Sequence, residues 1–132
     1  MKKVFCLVCF LIFSQPLLAA SDAEIESAVQ WLEVIDSGEY EESWNLTGSL
    51  FQDQLSASQW VQALVQVRQP LGDIKSREVS SSSSASSLPG APDGEYIVIT
   101  YASNFENESN ATETVTLRQE DEEWRPVGYF VQ

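Results

Sequence analysis

Hydrophobic residues recur every three or four positions from residue 21 onward, and this spacing predicts amphipathic helices in the first half of the chain. The longest apolar stripe comprises Ile25, Ala28, Val29, Leu32 and Ile35. Ser21 and Glu24 have the spacing of a capping box at its start, and Gly38 can adopt the left-handed conformation that closes a helix. Because Trp31 and Val34 lie off this stripe, the helix should be apolar over more than one face.

Further helical segments are predicted between residues 39 and 70. A short helix is expected over 39–44, and one more helical turn at 50–51. Ser56 and Gln59 then form a second capping box before a longer apolar helix. Pro70 should end that helix, because its nitrogen has no hydrogen to donate and its ring disfavours helical geometry in the preceding residue.

Beyond residue 70 the apolar residues alternate with polar ones, which predicts an antiparallel meander of four strands. The first strand, over 74–87, contains the serine tract 80–87 and should have a frayed or bulged half. A turn rich in proline and glycine at 88–94 leads into 96–105. This second strand is apolar on both faces, so we expect it to be central in the sheet.

The last two strands are predicted on either side of an acidic hairpin. After a turn at 107–110, the third strand alternates apolar residues with hydroxyl side chains. Its hydroxyl-lined face carries Thr112, Thr114 and Thr116. The acidic run 120–123 forms the hairpin tip, and Pro126 predicts that the final strand, 124–131, lies at an edge or contains a bulge. Together these elements predict a single α+β domain over 21–132, with N-terminal helices packed on a curved four-stranded antiparallel sheet.

The first twenty residues resemble a secretory signal peptide. Lys2 and Lys3 precede an apolar run at 4–13, which is too short to span a membrane as a helix. Small residues follow, and cleavage is expected after Ala20 or one residue earlier. We therefore expect a periplasmic or secreted protein.

The only two cysteines of the chain lie within this predicted signal. Cys6 and Cys9 would leave with it, so the mature chain should contain no disulfide. Position 21 is serine, and no cysteine follows the apolar run to carry a lipid. The sequence thus predicts a soluble protein rather than a lipoprotein, with no stable membrane insertion after cleavage.

Charge and composition narrow the possible functions. The chain has 20 acidic and 7 basic residues, a net charge of −13, which becomes −15 once Lys2 and Lys3 are removed. Nucleic acids and anionic membranes are therefore poor partners. Histidine is absent, which excludes the Ser-His and Cys-His nucleophile pairs and histidine metal sites. No cofactor or metal is predicted, because the acidic run 120–123 lacks the spacing of a calcium loop.

Three sets of residues remain as candidates for chemistry. Arg68 and Arg77 flank a Pro-Leu-Gly turn and could clamp an anionic ligand, or alternatively form ion pairs that order the junction. A desolvated carboxylate could act as a base; the candidates are Asp36, Glu95, Glu106 and Glu113. Aromatic side chains could line a pocket or simply form the core; these are Trp44, Trp60, Tyr96, Tyr101, Phe105, Trp124 and Tyr129.

Several short phrases carry a resemblance to a known family. They are Asp-Ser-Gly-Glu-Tyr from residue 36, Arg-Gln-Pro-Leu-Gly from residue 68, Leu-Pro-Gly-Ala-Pro-Asp-Gly from residue 88 and Val-Gly-Tyr-Phe from residue 127. The chain resembles the bacterial family called domain of unknown function 4019 over nearly all of its predicted mature length. By order of elements it is also similar to nuclear-transport-factor-2-like, or cystatin-like, cone folds. The resemblance implies an exported protein whose sheet and helices often enclose a pocket, and it implies no reaction.

We therefore expect a non-catalytic module that binds an unknown small molecule or a periplasmic protein. Its site is predicted to involve Arg68, Arg77, Trp60, Tyr101 and Trp124. One alternative is a small-molecule isomerase or hydrolase that uses a buried carboxylate in the cone pocket. A further possibility is a homodimer formed through the sheet face that carries the three threonines.

Overall fold

The computed structural model describes residues 21–132, so the predicted signal peptide, its cleavage at Ala20 and both cysteines lie outside the described residues. Within this range the chain has an α+β fold, with helices followed by an antiparallel sheet, as predicted. The elements are α1 (Asp22–Asp36), α2 (Tyr40–Asn45), α3 (Ser49–Gln54), α4 (Ala57–Leu71), β1 (Ile74–Ala85), β2 (Tyr96–Phe105), β3 (Glu108–Glu120) and β4 (Glu123–Val131). No helix within residues 21–132 is long and apolar enough to cross a bilayer.

The strands lie in chain order, β1-β2-β3-β4, and each pairs antiparallel with the next. This confirms the central position predicted for β2. Its two faces are not equally buried, however, because the helices cover only one of them. Ile97 and Ile99 are buried on the covered face, whereas Val98 and Thr100 are half-buried and Ala102 is exposed.

One hydrophobic core joins α1, α4 and the covered face of the sheet. Its buried members are Ala28, Trp31, Leu32, Ile35, Trp60, Leu64, Ile97, Ile99, Tyr101, Val115 and Leu117. Trp31 is buried together with the main stripe of α1, which confirms that this helix is apolar over a wide face. The core therefore forms between the helices and the sheet, and leaves the other sheet face open.

The two predicted capping boxes have different outcomes. At α4 the box is complete, since the Gln59 amide donates to Ser56 Oγ at 3.2 Å and the Ser56 amide donates to Gln59 Oε1 at 3.0 Å. At α1, Ser21 is the N-cap as predicted, but its side chain makes no capping hydrogen bond. Ser21 is exposed, so water can satisfy the same backbone groups.

Helix α4 continues past the predicted stop at Pro70 and ends one residue later, at Leu71. Pro70 stands in the last turn, where its missing hydrogen removes a single bond to the exposed Gln66. The stop is Gly72, which has φ 77° and whose amide donates to the carbonyls of Arg68 and Gln69. A proline is tolerated there because few helical bonds follow it.

The turn between β2 and β3 is tighter than predicted. Strand β2 ends at Phe105 and β3 already begins at Glu108. The turn thus comprises only residues 106 and 107, and residues 108–110, which were expected in the turn, belong to strand β3. This register brings Glu106 and Asn107 beside the end of α4, where their amides donate to the carbonyls of Asp73 and Leu71.

Both outer strands are irregular, as the sequence predicted. Strand β1 includes most of the serine tract but ends at Ala85, two residues before the predicted limit, and has register shifts near its start and near Ser80. Strand β4 is the opposite edge, and Pro126 pairs with Leu117 while Gly128 pairs with Thr116, which leaves one extra residue as a bulge. Strand β4 is therefore an edge strand and also contains a bulge next to Pro126, so both alternatives that the proline predicted are confirmed.

Candidate functional site

Four charged side chains from four different elements meet beneath the sheet, and we call them the ionic cluster. Asp36 is the last residue of α1, Arg68 lies in the final turn of α4, Arg77 is on β1 and Glu113 is on β3. The Asp36 carboxylate at the end of α1 therefore lies close to the Arg68 guanidinium near the end of α4. The sheet register places Arg77 opposite Ser103, on the face that the helices cover.

Arg77 bridges the two carboxylates of the ionic cluster. Its Nη1 and Nη2 donate to the two oxygens of Asp36 at 2.9 and 3.0 Å. Its Nε and Nη2 donate to the two oxygens of Glu113 at 2.6 and 3.2 Å. Arg68 Nη2 adds a bond to Asp36 at 2.8 Å. Two positive and two negative charges therefore balance within one hydrogen-bonded group.

The ionic cluster is largely removed from solvent. Side-chain exposure is 5% for Arg68, 9% for Arg77, 13% for Asp36 and zero for Glu113. Burial works to lower the pKa of the Arg77 guanidinium, but its bonds to Asp36 and Glu113 outweigh burial and raise that pKa above its ordinary value. Arg77 is therefore charged at every physiological pH and holds both carboxylates in fixed positions.

Two tyrosines border this cluster in different ways. Tyr129 Oη donates to Glu113 Oε2 at 2.5 Å, and Ser103 Oγ donates to Glu113 Oε1 at 2.6 Å. The hydroxyl of Tyr101 is buried and has no hydrogen-bond partner among residues 21–132. Burial raises the pKa of Tyr101 to about 12. Burial and the charge of Glu113 also raise the pKa of Tyr129.

Phenylalanine substitutions of these two tyrosines should have opposite consequences. Tyr129→Phe removes a bond to a buried carboxylate and should lower the free energy of unfolding by about 1.5–3 kcal/mol. Tyr101→Phe removes a buried hydroxyl that has no protein partner, so we expect no loss or a gain of up to about 1 kcal/mol. Urea unfolding at pH 7 measures both values. Equal losses in the two variants would contradict this assignment.

The raised pKa values also make the protein less stable in alkali. An unfolded tyrosine loses its proton near pH 10, whereas folded Tyr101 keeps its proton until about pH 12. Above pH 10 the unfolded state thus binds fewer protons, and the free energy of unfolding falls as pH rises. We expect a decline of no more than about 1 kcal/mol per pH unit from this residue, since solvent screens part of the effect. Urea unfolding from pH 8 to 11 should show a shallower decline for Tyr101→Phe, and an unchanged slope would refute the assignment.

A second feature is a surface groove of about 330 Å³ between α1 and β4, which we call the α1–β4 groove. Its lining residues are Ser27, Gln30, Trp31, Val34, Leu46, Glu123, Trp124, Arg125 and Pro126. The α1 members follow helical spacing along one face. The amide of Gly48 donates to the carbonyl of Pro126 at 2.9 Å, which holds the chain after Leu46 against β4. The groove therefore lies between α1, the end of α2 and β4, and a backbone hydrogen bond holds the chain after α2 against β4.

Trp124 differs from the other three tryptophans. Their indole N–H groups donate to protein oxygens: Trp31 to the Ser43 carbonyl, Trp44 to the Leu55 carbonyl and Trp60 to Ser43 Oγ. Trp31 and Trp60 also stack at 6.1 Å. Trp124 is half-buried, and within residues 21–132 its indole donates no hydrogen bond and its ring packs on no other ring. Its ring packs partly against the core, and its N–H group is left without a protein acceptor in the described chain.

The structure divides the five predicted site residues among three places. Arg68 and Arg77 belong to the ionic cluster, where both form ion pairs and where Arg68 Nε and Nη1 are buried without a hydrogen-bond partner among residues 21–132. Trp60 is buried in the core, and Tyr101 is buried between the core and the ionic cluster, so neither contributes to a surface. Trp124 alone lines the α1–β4 groove.

The predicted carboxylate candidates also separate clearly. Asp36 and Glu113 each have an arginine partner. Glu95 and Glu106 are exposed. The catalytic alternative requires a desolvated carboxylate without such a partner, and none of these four has that environment.

One of the four acidic residues at the β3–β4 hairpin tip is bound to the rest of the protein. Glu120 reaches across to α3, where its Oε1 accepts from the amide and the hydroxyl of Ser49, both at 2.8 Å. Burial works to raise the pKa of Glu120, but these hydrogen bonds lower it below its ordinary value. Asp121 and Glu122 form the exposed turn with positive φ. In the part of the chain that the structure describes, no three His, Cys, Asp or Glu side chains converge as metal ligands would.

Comparison of the sequence with curated proteins finds no match. A family model described as Protein of unknown function (DUF4019) matches residues 27–129. This span contains all four members of the ionic cluster and every lining residue of the α1–β4 groove. The chain therefore belongs to the DUF4019 family.

Proposed function

We propose that the chain is an exported, non-catalytic binding or protein-interaction module whose binding site is the α1–β4 groove. The observation that carries this proposal is the half-buried indole of Trp124, which has neither a hydrogen-bond acceptor nor a ring partner within the described part of the chain. Val34, Leu46 and Pro126 supply apolar surface beside it. Apolar concavities with a few polar groups are typical of ligand sites. Export follows from the signal-like segment 1–20.

Binding is favoured over catalysis by the state of the ionisable groups. The chain contains no histidine. Asp36 and Glu113 are held by Arg77, so neither is available as a base. Among residues 21–132 the only carboxylate that lines the groove is Glu123, which is exposed and paired with Arg125 at 2.6 Å. The isomerase or hydrolase alternative therefore has no desolvated carboxylate in this groove.

The groove can be tested with 1-octanol as a neutral apolar probe. In proton–nitrogen NMR spectra of the purified protein, Trp124→Phe identifies the Trp124 indole signal by its loss. We expect octanol at millimolar concentration to shift this signal and to leave the indole signals of Trp44 and Trp60, which do not line the groove, in place, because about 0.8 kcal/mol per buried methylene suffices for weak binding.

A charged side chain placed in the groove provides the control. Leu46→Glu should weaken octanol binding at least about fivefold, since it introduces a carboxylate where the apolar chain lies. Phe130→Glu changes an exposed aromatic outside the groove lining and should leave the affinity unchanged. An unshifted Trp124 indole, or equal affinities for both variants, would overturn the proposed site.

Self-association through the sheet is a separate possibility. Thr112, Thr114 and Thr116 are all half-buried on the open face of β3. A homodimer through this face stays a prediction, and sedimentation velocity of the purified protein tests it.

A further inference from the structure

We infer that the α1–β4 groove selects amphipathic cations, that is, small ligands with an apolar body and an ammonium or guanidinium group. This inference rests on the proposed function, because it takes the groove as the binding site. It adds the chemical class of the ligand.

Two acidic residues of α1 flank the groove. Gln30 lines the groove, and its amide donates to Glu26 Oε1 at 3.4 Å. Glu26 and Glu33 stand four residues before and three residues after Gln30, so both lie on the same side of the helix as Gln30. Both are exposed, and neither lines the groove. Two carboxylates therefore lie next to one residue of the groove lining.

The β3–β4 hairpin adds acidic residues beside the groove. Asp121, Glu122 and Glu123 are exposed there, and of these Glu123 lines the groove. Among residues 21–132, Arg125 is the only basic residue of the lining, and its guanidinium already lies 2.6 Å from Glu123. The two charges of the lining therefore compensate each other, and the surplus of negative charge lies in the flanking residues of α1 and of the hairpin.

No other basic side chain among residues 21–132 would attract an anion to this place. Arg68 and Arg77 are neutralised within the ionic cluster, and Arg118 lies 3.6 Å from Glu120. Lys75 is on β1, at the opposite edge of the sheet. With a net charge of −15 over these residues, a cleft with apolar walls concentrates a negative potential.

Trp124 adds a favourable contact for a cation. A cationic group within about 6 Å of an indole face is attracted by the electrons of the ring, and tryptophan is the best residue for this interaction. The Trp124 ring packs partly against the core and stacks on no other aromatic ring among residues 21–132, and its remaining surface lines the groove where such a group would bind. Apolar lining, flanking carboxylates and an indole in the lining thus favour the same class of ligand.

A matched series of octyl compounds tests this inference. Octylammonium, 1-octanol and octanoate share an apolar chain and differ in the charge of the head group. In NMR titrations at about 20 mM salt, we expect the dissociation constant of octylammonium to be at least about tenfold lower than that of octanoate, with octanol between them. The ratio should shrink at about 300 mM salt, because ions screen exposed charges.

Two double variants separate the groove charges from the overall charge. Glu26→Gln/Glu33→Gln should reduce the preference for octylammonium at least about threefold. Glu78→Gln/Glu95→Gln removes the same number of exposed charges from β1 and from the chain before β2, neither of which contributes to the groove, and should change the preference little. Equal effects of the two double variants would show that the carboxylates flanking the groove on α1 do not set its selectivity.

The possible results also distinguish this inference from the proposed function. If all three compounds bind equally, or if octanoate binds most tightly, the groove stands as a site and its selectivity for cations is refuted. If none of the three shifts the Trp124 indole signal, the proposed function itself is wrong. Octylammonium binding that shifts Trp124 and depends on Glu26 and Glu33 supports both.

Discussion

We expect Arg77→Met to lower the free energy of unfolding by about 3–5 kcal/mol, the largest effect of any single substitution considered for this chain. Removing one partner of a buried ion pair leaves an uncompensated charge in a poorly solvated place. Here Glu113 would lose its only arginine while fully buried. Asp36 would keep Arg68 alone. Urea unfolding at pH 7, followed by circular dichroism, measures the loss.

Two further variants identify the cause of this loss. Arg125→Met breaks an exposed ion pair and should cost no more than about 1 kcal/mol. Adding Glu113→Gln to Arg77→Met removes the unpaired charge and keeps one oxygen that can accept from Ser103 or from Tyr129, while the new NH2 group can donate to the other hydroxyl. The double variant should therefore be more stable than Arg77→Met alone. If Arg77→Met is no more harmful than Arg125→Met, the ionic cluster does not stabilise the fold.

Gly72→Ala should lower the melting temperature by more than about 10 °C, which corresponds to about 3 kcal/mol in a domain of this size. Gly72 has φ 77° and ψ −162°, a backbone region that is essentially restricted to glycine and costs other residues about 1–3 kcal/mol. An added Cβ would also lie 2.9 Å from Glu106 Cβ, within the β2–β3 turn that bonds to the end of α4. Strain and steric conflict thus act together.

Gly90 is the natural comparison for this substitution. It also has φ 77°, but an added Cβ would meet no atom within 4 Å. Gly90→Ala should therefore cost only the conformational part, about 1–2 kcal/mol. Thermal unfolding followed by circular dichroism compares the two variants directly. Similar losses would show that the contact with Glu106 contributes nothing.

Local chemistry explains which parts of the fold could be predicted. The Ser56 cap and the Gly38 stop depend on the residue itself and its immediate neighbours, and both are confirmed. The prediction for Pro70 was wrong because the cost of a proline depends on how many helical bonds follow it. The sequence of β2 predicts two apolar faces, because Val98 lies on one face and Ile97 and Ile99 lie on the other. It does not show which of the two faces the helices cover.

The candidate site was harder to predict from the sequence than the fold. Arg68 and Arg77 were singled out because basic residues are scarce, and ion pairing was one of two readings. Their partners Asp36 and Glu113 are far apart in the chain, and only the sheet register and the helix ends bring them together. Trp60 and Trp124 are the same residue type, so the core position of one and the groove position of the other depend on tertiary packing. Leu46 was missed because a single leucine after a short helix has no periodic pattern.

The unequal protection of the two sheet edges has a consequence for solubility. Strand β4 has a proline and a bulge, devices that prevent pairing with another molecule. Strand β1 has no charged side chain from 79 to 85, and from Ser81 to Ala85 it pairs with β2 in unbroken register. The net charge of −15 supplies the missing protection at long range, because copies of the domain repel each other before their edges meet. We therefore expect carboxylates spread over the whole surface to protect the sheet edge formed by the serine-rich strand β1 from aggregation. This protection should weaken as acid or salt reduces the repulsion between copies of the domain.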